Sequence, residues 1–216
     1  MSISPEPLLE RDEAALIARI RAGEKRLFHE LIRPYERAVF TVAYSILRNS
    51  ADAEEVAQEA MLKAFANLAQ LRADDKFKGW LLQIAFNEAR MRRRKERKHL
   101  YESLDDGEQE SDEGEFMPRQ FADWRDIPSE VLEKQEIKQA VAQALLELPD
   151  KYREVFILRD MEHLAAEDAA RVLGLSVAAV KTRLHRARLQ MRERLAPSFA
   201  KRWTDRLPFR KGASPW

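Results

Sequence analysis

Apolar side chains recur every three or four positions along two parts of the chain, residues 10–100 and 128–196, and lose this period between them. Such spacing places the apolar positions on one face of an α-helix. The alternation of apolar and polar positions that is typical of strands is not found in the N-terminal half. The pattern therefore predicts an all-α fold, with two small helical domains joined by a flexible linker.

Four helices are predicted in the first domain. The first ends at Gly23, and the second runs from Phe28 to Ile46 with a kink expected at Pro34. Asn49 and Asp52 indicate the start of the third helix, because short polar side chains cap free amides and acids favour the first turn. The faces expected to be buried carry Val56, Ala60, Met61, Ala64, Phe65 and Leu68 on the third helix, and Trp80, Leu81, Ile84, Ala85 and Met91 on the fourth.

The second domain ends in a predicted helix-turn-helix at residues 164–195. Gly174 is the residue type that ends helices at low steric cost, and the Ser176 hydroxyl can accept hydrogen bonds from the free amides of the next helix. That helix is expected at 177–195. Its apolar stripe, which is expected to be buried, consists of Val177, Val180, Leu184, Ala187, Met191 and Leu195.

The face of this helix opposite the apolar stripe suits a contact with DNA. Thr182 and Arg186 lie one turn apart and point most directly away from the stripe, so they can reach base edges in one major groove. Arg183 and Arg188 are expected to contact phosphates. An amphipathic hairpin with a solvated basic face would have the same pattern. The candidate DNA-binding residues are Lys181, Thr182, Arg183, His185, Arg186 and Arg188.

The last helix of the first domain carries a second basic face. Phe86, Arg90 and Arg93 recur at steps of four and three, so they are expected to line one exposed ridge, with the loop at 74–78 preceding it. An aromatic ring and arginines on one face suit the stacking of unpaired bases and the neutralisation of phosphates. A solubilising helix end is the alternative. The candidate residues for this contact are Trp80, Phe86, Asn87, Arg90, Arg93 and Arg94.

The third helix presents Asp52, Glu55 and Gln58 on the side away from its apolar stripe. This polar face is a candidate surface for a protein partner. A solvated, well-capped helix surface is the alternative.

Composition limits the chemistry of the protein. The chain has 216 residues, of which 35% are charged and only six are glycine, a balance that favours helices over sheets. It contains no cysteine, and its four histidines lack the spacing of metal ligands, so neither a metal site nor a cofactor is predicted.

No apolar run reaches the roughly 20 residues that a membrane span requires, and no targeting leader is expected after Met1. A cytoplasmic location is therefore expected.

The net charge of +1 hides a segregation of charge along the chain. Residues 101–127 include the run ESLDDGEQESDEGE, which has no basic residue and no apolar period. Such a segment cannot bury enough surface to fold alone, so it is predicted to be a flexible acidic linker. The segments 1–9 and 197–216 are expected to be tails outside the domains at 10–100 and 128–196.

Three blocks of the sequence resemble one protein family. The blocks are DAEEVAQEAMLKAFANL, FKGWLLQIAFNEARMRRRKER and ELPDKYREVFILRDMEHLAAEDAARVLGLSVAAVKTRLHRAR. They are similar to the polymerase-clamp helix, the promoter-melting helix and the promoter-reading domain of bacterial RNA polymerase sigma factors of the extracytoplasmic-function (ECF) group. The resemblance extends from Phe28 to Leu195 and rests on several separate blocks.

The resemblance implies a factor that binds core RNA polymerase, directs it to promoter DNA and promotes strand opening. Residues 10–100 would be its region 2 domain, which binds core polymerase and the −10 element. Residues 128–196 would be its region 4 domain, which reads the −35 element. An anti-sigma factor is a further candidate partner, and neither catalysis nor insertion into a membrane is expected.

Three other classes of protein stay open as alternatives. A helix-turn-helix transcriptional regulator that is not a sigma factor would need a receiver or ligand-binding domain, for which the N-terminal half offers no strand pattern. An enzyme would need a phosphate loop, a nucleophile with its base or a metal cluster, and the sequence contains no such motif. The third alternative is a structural helical adaptor.

Overall fold

The computed structural model describes residues 6–72, 77–103 and 139–205, with side chains described for 13–72, 77–97 and 139–196. Within these ranges the chain is helical without a strand, which confirms the predicted all-α class. No helix there is long and apolar enough to cross a membrane. The helices are α1 (Glu6–Arg21), α2 (Phe28–Ile32), α3 (Glu36–Leu47), α4 (Ser50–Asn67), α5 (Phe77–Ser103), α6 (139–146), α7 (Asp150–Phe156), α8 (Ala166–Leu173) and α9 (Val177–Asp205).

Several predictions lie outside the described residues. They concern the N-terminal tail before residue 6, residues 74–76 of the loop predicted at 74–78, the acidic linker from residue 104 onward and the C-terminal tail after residue 205. The last two residues of that loop, Phe77 and Lys78, belong to α5 instead. Three helices are longer than the sequence predicted. Helix α1 begins at Glu6, inside the range 1–9 that was expected to be a tail. Helix α5 extends to Ser103, into the range expected to be linker, and α9 extends to Asp205, into the range expected to be tail.

Pro34 divides the predicted long helix rather than kinking it. The stretch from Phe28 to Ile46 consists of α2 and α3, separated by a 3₁₀ turn at Arg33–Tyr35. Proline has no amide hydrogen and its ring clashes with the carbonyl one turn earlier, so the α-helical hydrogen-bond ladder stops there. At the next boundary Arg48, with φ 58°, ends α3, and the Asn49 side chain accepts a 3.1 Å hydrogen bond from the Asp52 amide. The predicted cap of α4 is therefore present.

Helices α3, α4 and α5 form the core of the N-terminal domain. Residues 38–46 of α3 are all buried, because α4, α5 and α7 pack around this helix. On α5 the buried set differs from the predicted stripe: Phe86 and Ala89 are buried, at 1% and 0% exposure, whereas Met91 is 49% exposed. Because α3 and α4 pack on one side of α5 and α8 packs on another, these neighbours cover a wider arc of the helix.

The C-terminal domain contains the predicted helix-turn-helix. Gly174 ends α8 with φ 67°, a left-handed conformation that glycine adopts without steric cost. The Ser176 hydroxyl accepts a 3.1 Å hydrogen bond from the Ala179 amide in the first turn of α9. Val180, Leu184, Ala187 and Met191 of the expected stripe are buried, and Val177 and Leu195 are partly buried against the same core.

The two domains pack against each other, α8 on α5 and α7 on α3. The contact includes the Arg153 side chain, which is 1% exposed and donates a 2.9 Å hydrogen bond from Nε to the Ser45 carbonyl in α3. At the other end of the contact, Lys78 Nζ donates a 2.6 Å hydrogen bond to the Glu162 carbonyl. The sequence analysis did not predict that the domains dock.

Candidate nucleic-acid interface

The structure brings the candidate DNA-binding residues of α9 together on one side of the helix. Lys181, Thr182, His185, Arg186 and Arg188 are exposed, and Arg183 is half-buried at the edge. This surface lies opposite the buried stripe because side chains three or four positions apart share one helix face. Helix α8 packs against α9 and holds its orientation in the domain.

Two of these side chains have partners from the same domain. Arg186 Nη1 lies 3.5 Å from the Tyr152 hydroxyl, and this hydrogen bond lowers the pKa of the Tyr152 phenol. Arg188 donates hydrogen bonds of 2.7 and 2.5 Å to the Asp160 carboxylate, which raises the pKa of the Arg188 guanidinium. Asp160 lies 28 positions from Arg188, so the helical period gave no sign of this pair.

The basic face of α5 forms a cleft of about 630 Å³. Asn87, Arg90 and Arg94 are exposed, and Arg93 is half-buried because it donates a 2.7 Å hydrogen bond to Asp150 of the other domain. The lining residues are Asn87, Arg90, Met91, Arg93, Arg94 and Arg97. Four arginines therefore border the cleft, and the apolar side chain among them is Met91.

The expectation that Phe86 is exposed on this ridge was wrong. Phe86 is buried, and the Arg90 guanidinium lies 5.0 Å from the centre of its ring. The side chain therefore cannot stack on a base in this conformation, although it supports Arg90 through a cation–π contact. Trp80 is half-buried, with its ring centre 6.0 Å from that of Phe77. The cleft thus offers arginines and Met91 rather than an aromatic ring.

The acidic side chains of the third predicted helix, α4, are bridged to α5. Arg92 Nη2 donates hydrogen bonds of 3.0 Å to Asp52 and 2.7 Å to Glu55, while Gln58 stays exposed. These bonds, with Glu55 the larger contributor, raise the pKa of the Arg92 guanidinium. The partners are 37 and 40 positions apart in the sequence, so no local pattern could reveal the bridge.

The same side of α4 continues past Gln58 into an apolar groove of about 550 Å³. Leu62 is 69% exposed and Phe65, which the sequence analysis expected to be buried, is 37% exposed with its ring centre 4.9 Å from that of Phe28. Leu62 lies off the predicted buried stripe, and a large apolar residue at such a position is a signal that the analysis overlooked. The groove is lined by Lys25, Arg26, Phe28, His29, Ile32, Glu36, Gln58, Met61, Leu62 and Phe65.

Within the described residues, no group of histidine and acidic side chains could hold a metal ion.

Comparison with known proteins identifies two sequence families. Residues 31–99 match the model of Sigma-70 region 2, and residues 138–191 match that of Sigma-70, region 4. These segments contain the basic face of α5 and the helix-turn-helix, respectively. A helix-turn-helix regulator of another class is disfavoured because the chain matches region 2 as well as region 4.

Curated relatives and solved structures lead to the same family. The chain is 31% identical to the ECF RNA polymerase sigma factor SigW of Bacillus subtilis, over 83% of this chain and 94% of the relative. It is 30% identical to the RNA polymerase sigma-H factor of Pseudomonas aeruginosa, over 88% and 97%. The sigma factor RpoE of Bartonella quintana, solved with the anti-sigma factor NepR, has a TM-score of 0.60 and 26% identity, over 78% and 96%. The chain therefore belongs to the ECF group of RNA polymerase sigma factors, which direct core polymerase to promoters.

Proposed function

We propose that residues 128–196 read the −35 element of a promoter through the exposed face of α9. The observation that carries the proposal is that Lys181, Thr182, His185 and Arg186 share one exposed face opposite the buried stripe. A helix of this kind enters the major groove, where each base pair presents a distinct pattern of donors and acceptors. Arg186 supplies a bidentate contact to guanine, and Arg183 and Arg188 meet phosphates.

We propose that residues 10–100 contact the −10 element through the arginine-lined cleft of α5. Arg90 and Arg94 are exposed and lie about one turn apart, close enough to follow successive phosphates of one strand. Asn87 supplies hydrogen bonds to base edges, and Met91 supplies the apolar contact first assigned to Phe86. Arg93 joins them once it leaves Asp150.

We propose that core polymerase docks on the side of α4 that carries Asp52, Glu55 and Gln58 and continues to Leu62 and Phe65. Interfaces between proteins combine an apolar centre with a polar rim. Leu62 and Phe65 provide the apolar centre, and the bridged acids of α4 provide part of the rim. Leu62 is the most exposed of the large apolar side chains in the described part of the chain, which supports a partner that covers it.

Three further proposals complete the functional description. The chain carries out no catalysis of its own, a proposal supported by relatives that are named as sigma factors. It works in the cytoplasm, where polymerase and template are found. It is held inactive by an anti-sigma factor, a proposal supported by the relative from Bartonella quintana that was solved with one.

Transcription from fragmented genomic DNA tests the proposed function, and no promoter has to be chosen beforehand. Purified core polymerase is incubated with the fragments with or without the full chain, and transcript starts are mapped by sequencing. We expect a set of starts that depends on the chain and shares upstream elements near −35 and −10. Arg186→Ala, as a matched variant, should shift the set of fragments used. Dependent starts that share no upstream element would contradict the assignment of α9.

A further inference from the structure

One tyrosine of the C-terminal domain lies beside the exposed face of α9, on a helix that is not part of the helix-turn-helix. Tyr152 belongs to the first turn of α7 and is buried, at 8% exposure, in a helix that packs against α9. Its hydroxyl lies 3.5 Å from Arg186 Nη1. In the part of the chain that the structure describes, this hydroxyl is the one hydrogen-bond partner of the Arg186 side chain. The arginine proposed to read guanine is therefore contacted from outside the motif.

The surroundings of Tyr152 give its hydroxyl a defined position. The Tyr152 amide donates a 2.8 Å hydrogen bond to the Pro149 carbonyl, and Val155, one turn later on the same helix face, is fully buried. Only two torsion angles orient a tyrosine ring, and burial restricts both of them. Lys151 Nζ lies over the ring, 5.1 Å from its centre. The phenol can therefore limit the movement of a neighbouring side chain that is more mobile than itself.

Arg186 is a side chain of this mobile kind. It is exposed on α9, and a long side chain that becomes immobile on binding loses rotamer freedom, which weakens the complex. A contact that already exists in the free protein reduces this loss, because part of the freedom is given up before DNA binds. The 3.5 Å distance is longer than the common range of about 2.7–3.2 Å. The hydroxyl therefore narrows the range of the guanidinium without fixing it rigidly.

The contact leaves the guanidinium of Arg186 able to read a base. A guanidinium carries five N–H donors in a planar fork, and the hydrogen bond to Tyr152 uses Nη1. Nε and Nη2 form another edge of the fork, with two parallel donors that match O6 and N7 of guanine. Arg186 can therefore keep its contact with Tyr152 while it makes the bidentate contact.

An uncharged hydroxyl suits this role better than a carboxylate does. The Asp160 carboxylate, which accepts two hydrogen bonds from Arg188, offsets the charge of that arginine and competes with DNA for its donors. Tyr152 takes one donor and leaves the positive charge of Arg186 in place. The hydrogen bond from Arg186, with the nearby charge of Lys151, lowers the pKa of the Tyr152 phenol.

We propose that Tyr152 is a positioning residue for recognition of the −35 element. It holds the Arg186 guanidinium so that the edge formed by Nε and Nη2 faces the major groove, and it thereby raises the discrimination for the guanine that Arg186 reads. The proposal rests on the proposed function of α9 and adds a residue of α7 to it. Tyr152 acts through Arg186 and needs no contact with DNA of its own.

Removal of the hydroxyl alone tests the proposal, because Tyr152→Phe keeps the ring that packs in the domain. The measurement is binding of holoenzyme, made with the full chain, to all single-base −35 variants of a promoter found by genomic transcription. We expect discrimination to fall about two- to tenfold at the positions that Arg186 reads, which corresponds to the ordering of one long side chain. Discrimination at the other −35 positions and the salt dependence should not change. Tyr44→Phe is the matched control, since Tyr44 is also 8% exposed but lies in α3, and it should change no position.

A double variant separates positioning from a general effect on the fold. If Tyr152 acts through Arg186, Tyr152→Phe should have no further effect in a chain that already carries Arg186→Ala. Effects that add, an equal loss at every position for Tyr152→Phe or unchanged discrimination would each overturn the inference while the function of Arg186 stands. An equal loss on every variant for Arg186→Ala alone would instead refute the proposed function, on which the inference rests.

The pKa of the Tyr152 phenol tests the contact without DNA. It is followed by NMR titration of the full chain with isotope-labelled tyrosine, and Tyr152→Phe identifies the signal among the four tyrosines. Arg186→Ala should raise the pKa of Tyr152, because the hydrogen bond and the charge that lower it are removed. Arg188→Ala removes the same charge two positions away and should leave this pKa unchanged. A Tyr152 pKa that does not respond to Arg186→Ala would show that the two side chains do not meet in the free protein, and it would overturn the inference.

Discussion

At the scale of single residues, Arg186 and Arg188 of α9 lie two positions apart in the sequence but have different partners in the structure. Arg186 faces away from the core, 3.5 Å from the Tyr152 hydroxyl, whereas Arg188 is held by the two hydrogen bonds that it donates to Asp160. Arg186→Ala should therefore relax the preference of the holoenzyme at one or two −35 positions, by roughly 1–3 kcal/mol per base pair. The measurement is holoenzyme binding to all single-base −35 variants of a promoter found by genomic transcription.

Arg188→Ala is the matched comparison in the same series. It should weaken binding equally on every variant and reduce the slope of log affinity against log salt by about one unit. Asp160→Ala frees Arg188 without removing it, so it should strengthen binding to all sequences alike. An equal loss on every variant for Arg186→Ala would make Arg186 a phosphate contact.

At the scale of helices, α4 and α5 of one domain carry surfaces of different chemistry. Leu62 of α4 is largely exposed, so its replacement by aspartate should leave the thermal stability of the chain unchanged. Burial of a leucine side chain is worth roughly 1.5–3 kcal/mol, so Leu62→Asp should raise the Kd for core polymerase at least about tenfold. The measurement is titration of labelled chain with core polymerase.

Met91→Asp provides the control for that titration. Met91 is also an exposed apolar residue, but it lies in the cleft of α5, so its replacement should leave the affinity for core polymerase unchanged. Equal losses for the two variants would mean that α4 carries no specific polymerase surface.

The arginines of α5 should act when the two promoter strands separate rather than when the holoenzyme binds the closed duplex. Loss of one hydrogen bond to a charged group costs about 1.5 kcal/mol or more, so Arg90→Ala with Arg94→Ala should lower open-complex formation at least about tenfold. Binding to closed duplex should change less. The measurement is permanganate reactivity of the −10 region in holoenzyme complexes. A defect that persists in full on a template melted beforehand would argue against a role in opening.

At the scale of the whole molecule, ion pairs such as Arg93–Asp150 and Lys78–Glu162 make docking sensitive to salt. The screening length falls from about 10 Å at 0.1 M to about 3 Å at 1 M salt, so partly exposed pairs weaken across this range. A compact chain of this length has a radius of gyration of about 17 Å. We expect small-angle X-ray scattering of the free chain to show an increase of several ångström between these salt concentrations.

The same scattering series on Glu162→Lys serves as the comparison. This variant should begin near the expanded value and change little with salt, because the pair with Lys78 is already lost. A radius that stays constant in the unmodified chain would show that Arg153 and apolar contacts, rather than the ion pairs, hold the domains together.

The sequence alone determined the class of fold and the exposed face of α9. Both depend on local periods: apolar residues three and four positions apart must share a helix face, and Gly174 with Ser176 must separate two helices. Three blocks of the sequence also resembled the sigma-factor family. Comparison with known proteins then showed that the chain belongs to this family.

Tertiary structure alone decided which arc of each helix is covered and which charges are paired. Phe86 is buried and Met91 exposed because α3, α4 and α8 surround α5, and no local period records how many neighbours a helix has. Likewise, Arg92 reaches Asp52 across 40 positions, and Arg93 reaches Asp150 across 57. Such pairs depend on how distant segments pack, so only the packed structure could reveal that Asp150 of one domain holds Arg93 in the arginine-lined cleft of the other.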